Sequence, residues 1–172
     1  MSDGLHVPDR ADGMGCLPVE GSSDKVALIR NHELHPKHLS AQPQSIQKHT
    51  SELAYDNYHS GVALPGGTTT MVYNLTTKMV EREFISLVGT VRNCSGGITP
   101  WGTWLTCEES VDRPHGPNGD VVNKDHGYIF EVPANADSLI EAKPLKAMGR
   151  FNHEAACVDP KTCLLYTSPS PR

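Results

Sequence analysis

The eighteen residues from Arg92 to Glu109 constrain the fold more than any other stretch of this chain. They read Arg92-Asn93-Cys94-Ser95-Gly96-Gly97-Ile98-Thr99-Pro100-Trp101-Gly102-Thr103-Trp104-Leu105-Thr106-Cys107-Glu108-Glu109. Gly96 and Gly97 permit backbone angles that side chains forbid, and Pro100 biases Thr99 toward extended or turn geometry. Thr103 to Cys107 then has the composition of a buried strand. The stretch reads as a glycine turn carrying Cys94, followed by a strand that delivers two adjacent carboxylates. Both ends are expected to serve one polar site.

Short β-rich runs bounded by turn residues recur along the rest of the chain. Val26 to Arg30 reads as a buried strand ending in Asn31-His32-Glu33, and Thr68 to Asn74 with Met79 to Leu87 reads as a hairpin. Tyr128 to Val132 and Ala155 to Val158 are further strands. Met1 to Pro18 reads as a polar, turn-rich lead-in with Asp12-Gly13 as a turn, and Ser110 to Asp125 as an exposed loop. Residues 35–61 read as a long polar excursion, with a weak helix around Ile46 to Ala54. Ala134 to Ala142 has some helical character. The pattern predicts an all-β fold of antiparallel units with long irregular loops and little helix. A partial β-propeller is the leading architecture; without a visible internal repeat, a sandwich or barrel stays open.

Composition narrows the function classes. With 15 Lys+Arg against 20 Asp+Glu and a net charge of -5, there is no electrostatic case for a nucleic-acid or anionic-membrane partner. No apolar run is long enough to span a bilayer, and no signal peptide is visible. The five cysteines, at 16, 94, 107, 157 and 163, show no Cys-x-x-Cys pair, so neither a disulfide scaffold nor a structural zinc site is indicated.

Three clusters can do chemistry: Asn31-His32-Glu33, Cys94 with Glu108-Glu109, and His153-Glu154. Each sits at a strand terminus or a glycine-flanked turn, positions that a propeller can bring together around its central channel. Carboxylates and an amide suit hard cations such as calcium, and a thiolate suits a softer transition metal, so a combined site would accept mixed metals. Each also has a plain structural reading. A buried cysteine is an inert small residue, His-Glu pairs can be structural, and adjacent strand carboxylates face opposite sides.

Taken together, several motifs closely resemble the PhoX family of bacterial alkaline phosphatases. They are Gly66-Gly67-Thr68-Thr69-Thr70, Arg92 to Gly97 with Thr99 to Thr103, Thr106 to Glu109, His126-Gly127-Tyr128 with Glu131-Val132-Pro133, and Gly149 to Glu154. Asp12-Gly13-Met14 and Arg30 to Glu33 are similar to the same family. The resemblance implies a six-bladed propeller that hydrolyses small phosphate monoesters at a Ca2+ and Fe3+ centre, monomeric and exported to the periplasm by the twin-arginine route. Carried over by position, the resemblance implies that Cys94 is the iron-bridging thiolate and Glu154 a metal-ligating carboxylate of the catalytic centre, with Glu108, Glu109, Asn31 and Glu33 as weaker matches to the metal shell. A non-catalytic metal- or ligand-binding propeller and another calcium-dependent, lactonase-like propeller hydrolase are the alternatives.

The resemblance extends to Thr162. Residues 1–162 are expected to be the N-terminal part of a longer propeller, inactive alone, with the remaining metal ligands further along. Residues 163–172 are similar to the translation of a transposon-type sequencing-library adapter and are expected to be non-native.

Overall fold

The computed structural model describes residues 1–37 and 52–169, and the fold is an incomplete, unclosed β-propeller. Among the described residues, nine strands form three antiparallel sheets. The first sheet is β1 (Ala11–Pro18), β2 (Lys25–His32), β3 (Gly66–Asn74) and β4 (Met79–Thr90), paired in sequence order as one complete blade. The second is β5 (Asn93–Ile98), β6 (Thr103–Glu108) and β7 (Ile129–Pro133). Its fourth position is reduced to a bridge between Phe130 and Pro144, with the Leu145 N–H donating to Ile129 O at 2.8 Å. Pro144 has no N–H with which to extend that ladder. The third sheet pairs β8 (His153–Val158) with β9 (Leu165–Pro169). No α-helix occurs among the described residues, and no helix there is long and apolar enough to cross a membrane.

The innermost strands β1, β5 and β8 lie side by side, with β5 between the other two. Between the first and second blades a core of Leu17, Ala27, Ile29, Leu87, Trp104 and Phe130 is buried. Between the second and third blades Leu105, Cys107, Ile129, Ala156 and Val158 form another. Strand β6 supplies both cores because alternate side chains face opposite sides of a sheet. Trp104 and Thr106 point to blade one, and Leu105 and Cys107 to blade three. The outer edge of blade one is capped: Ser2 N–H donates to Glu83 O at 2.7 Å, and Tyr55 N–H to Val88 O at 3.2 Å. Covering β4 in this way removes an open strand edge.

Three expectations are corrected. Residues 11–18 are strand β1, not lead-in, and Asn93 to Ile98 is strand β5, not a turn. The glycines in both serve close approach. A Cβ at Gly13 would lie 2.8 Å from Cys94 O, and one at Gly97 would overlap the carbonyl oxygen of Ala156. Neither Gly96 nor Gly97 takes a left-handed φ. Residues 134–142 form turns and bends, and the short 3-10 helix falls later, at Lys146–Met148. The weak helix expected over Ile46 to Ala54 lies for the most part outside the described residues.

Candidate metal centre

Each of the three inner strands breaks its ladder register near its start: between Ala11 and Met14 in β1, Asn93 and Gly96 in β5, and His153 and Ala155 in β8. Within those irregular stretches lie Asp12, Cys94 and Glu154. A bulge leaves its extra residue unpaired and re-aims its side chain, and such bulges gather beside functional sites. Here the consequence is convergence. Donor atoms of Cys94, Glu109 and Glu154 all lie within 4.8 Å of one another, with Cys94 and Glu109 buried and Glu154 half-buried.

Glu109 reaches the cluster through the two-residue period of β6. It continues the face of Leu105 and Cys107, which looks toward the third blade and Glu154. Glu108 takes the opposite face and is spent on the seam with the first blade. Its Oε1 accepts from Val91 N–H (2.9 Å) and meets His126 Nδ1 (2.7 Å), and its Oε2 accepts from the N–H groups of Gly127 (2.7 Å) and Tyr128 (3.1 Å). Asn31 is likewise consumed between blades. Its Oδ1 accepts from Trp104 Nε1–H at 2.9 Å and the Thr106 hydroxyl at 2.8 Å, while its Nδ2 donates to Ser95 O at 2.9 Å. Neither Glu108 nor Asn31 joins the cluster.

Glu33 lies at its edge. Arg92 donates to Glu33 Oε1 from Nε at 3.2 Å and Nη2 at 2.8 Å, and the same Nη2 reaches Glu109 Oε2 at 2.5 Å. Asp12, taken from sequence as a turn residue, hydrogen-bonds the Glu33 side chain. Its carboxyl is pushed above the usual carboxylate range by burial, then by the charges of Glu33 and Glu109. The signal that could have found it is positional: Asp12-Gly13 sits on β1 where Cys94-Ser95 sits on β5.

The Cys94 thiol is enclosed by carbonyl oxygens, at 3.3 Å from His153 O, 3.6 Å from Glu154 O and 3.7 Å from Cys107 O. Burial, aided by the charges of Glu154, Glu109 and Glu33, pushes it up to about 12. A buried thiol crowded by carboxylates is poor at ionising without a cation, and a bound cation reverses that preference outright. The donor set therefore fits a metal: one sulfur for a transition ion, with carboxylate oxygens that serve transition ions and calcium alike. Behind the cluster, His153 is fully buried with its ring against Phe151 (centroids 3.7 Å apart) and Nε2 at 3.3 Å from Gly149 O.

A blade-built β fold in which a thiol and carboxylates converge from bulged inner strands and the end of β6 defines the class: a propeller with a candidate metal centre. The profile of the family described as alkaline phosphatase PhoX matches residues 63–169, and this chain belongs to that family. Among solved structures, the chain is similar to Pseudomonas fluorescens PhoX in complex with vanadate, a transition state analogue, with a TM-score of 0.58 and 18% identity. That match covers 95% of this chain and 40% of the other, so the chain spans less than half the length of that relative. None of the curated proteins compared matches it.

Proposed function

We propose that this chain is the blade-one-to-three portion of an exported phosphomonoesterase, working at a mixed calcium and iron centre built around Cys94, Glu109 and Glu154, with Asp12 and Glu33 beside them. The observation that carries the reading is the convergence of Cys94, Glu109 and Glu154 from two neighbouring blades. Bound cations supply charge neutralisation for phosphate oxygens and activation of an oxygen nucleophile. The chain's own residues do the holding. Cys94 and Glu154 present donors from bulged inner strands, Glu109 presents one from the end of β6, and Arg92 fixes Glu33 and Glu109. The cores on either side of β6 keep that geometry rigid, which is what electrostatic catalysis of phosphoryl transfer requires. With three sheets that do not close around the axis, the chain alone is expected to be inactive.

The test is p-nitrophenyl phosphate hydrolysis with Ca2+ and Fe3+ supplied. The chain alone should give no turnover. A longer gene product containing it should hydrolyse the ester, bind vanadate, and lose both rate and metal when Cys94→Ser is introduced. A Cys94→Ser enzyme with full activity and metal content would sink the assignment of the centre.

A further inference from the structure

We propose that Arg92 is a positioning residue of this centre, acting through Glu109 and Glu33; the proposal rests on reading the Cys94, Glu109 and Glu154 cluster as a metal site. One guanidinium nitrogen, Nη2, holds an oxygen of Glu33 at 2.8 Å and an oxygen of Glu109 at 2.5 Å. Those carboxylates follow the second strands of two different blades. Arg92 also ties both segments through its backbone: its N–H donates to Leu34 O and its carbonyl accepts from Glu109 N–H, each at 2.9 Å. To do this it adopts a left-handed φ of 52°. A non-glycine residue there is strained and persists where its surroundings over-determine it.

Two physical effects of Arg92 on cation binding have opposite signs. Its charge repels an incoming cation, so deleting it would tighten binding. Its guanidinium tethers one oxygen of Glu109 and one of Glu33, so deleting it would remove one tether from each carboxylate and loosen both. Partners that orient metal ligands are worth about 10–100-fold in affinity, and a lysine offers one nitrogen where Arg92 sets Nε and Nη2 together on Glu33. The structure assigns the second effect as the larger, because side chain and backbone act on the same two segments.

The experiment is a Co2+ titration of the 172-residue chain, following thiolate-to-cobalt absorption, with Cys94→Ser as the control and thermal unfolding of each metal-free variant alongside. Arg92→Lys and Arg92→Gln are both expected to weaken Co2+ binding about tenfold or more while retaining the absorption band. If either folded variant binds Co2+ as tightly as the unsubstituted chain, or more tightly, the positioning role is overturned and the centre stands. Should Arg92→Gln fail to fold, Arg92→Lys decides by the same criterion. If the unsubstituted chain takes up Co2+ with no thiolate band, or takes up none, the centre itself is overturned, and this proposal with it.

Discussion

His126 should make the stability of this fold depend on pH in a window set by two buried carboxylates. Its Nδ1 lies 2.7 Å from Glu108 Oε1 and its Nε2 3.2 Å from Asp56 Oδ2, with all three side chains buried. Burial alone would depress the imidazole. The charge of Glu108 and the hydrogen bonds to Asp56 and Glu108 outweigh it and lift His126 to about 9. The interval from an ordinary value near 6.5 corresponds to on the order of 3 kcal/mol of preference for the charged ring in the folded state. A raised folded pKa means the stabilisation is complete below pH ~6.5 and is lost as pH climbs through ~9. The assay is urea unfolding followed by tryptophan fluorescence, since Trp104 is only 5% exposed. Unsubstituted chain and His126→Gln are compared at pH 6 and pH 9.5. The substitution should cost about 3 kcal/mol at pH 6, at the low end for removing one member of a buried ion pair. At pH 9.5 the difference should shrink to about 1 kcal/mol or less, because the histidine then contributes mainly packing and neutral hydrogen bonds. Equal costs at the two pH values would show that His126 is not held charged, and would refute the reasoning.

Two other outcomes follow from the same geometry. Gly97→Ala places a methyl against the Ala156 carbonyl, which belongs to backbone and cannot swing away. It should destabilise the chain by roughly 1–3 kcal/mol and weaken Co2+ uptake by parting Cys94 from Glu154; unchanged stability in urea would contradict the tight β5–β8 seam. Cys94, pushed up to about 12 by burial, is protonated at pH 7.5 without metal. Co2+ binding there should release about one proton from it. Calorimetry in buffers of different ionisation enthalpy measures this number. The same release from Cys94→Ser would exclude the thiol as its source.

The all-β class was legible because strands such as Val26 to Arg30 and Thr103 to Cys107 carry their own composition. The inner strands were not. In β1 and β5, Gly13, Gly96 and Gly97 look like turn residues locally; only a neighbouring blade explains Gly13 and Gly97 as space for a backbone crossing, and Gly96 clears the Leu105 carbonyl of its own sheet. Cys94, Glu109 and Glu154 were named from motif and resemblance, and their convergence required the packing of two neighbouring sheets. Asp12 was hidden by the same glycine signal as its strand. Glu108 and Asn31 carry the right donors, but their oxygens are spent on the seam with the first blade. Asp56 lies in a polar stretch that offered no periodicity, yet it closes the ion network around His126 with the N–H groups of Asn57, Asn123 and Lys124 on its carboxylate.

The first two blades place acidic or thiol donors by one positional rule even though their sequences do not repeat. One donor sits at the second residue of the inner strand, where the ladder slips: Asp12 in β1 and Cys94 in β5, continued by Glu154 in β8. The other sits one residue past the second strand, Glu33 after β2 and Glu109 after β6. Residues one step earlier fall on the other face and are consumed in packing, His32 against Thr69 Oγ1 at 2.9 Å and Glu108 against His126. The rule works because a strand's two-residue period is fixed while a bulge shifts only the residue it carries. Chemistry can therefore vary from carboxylate to thiol at a bulge without disturbing the sheet behind it. The distance between donors on successive inner strands is then set by how closely those strands approach. That distance is controlled at Gly13 and Gly97, two positions that bear no functional group at all.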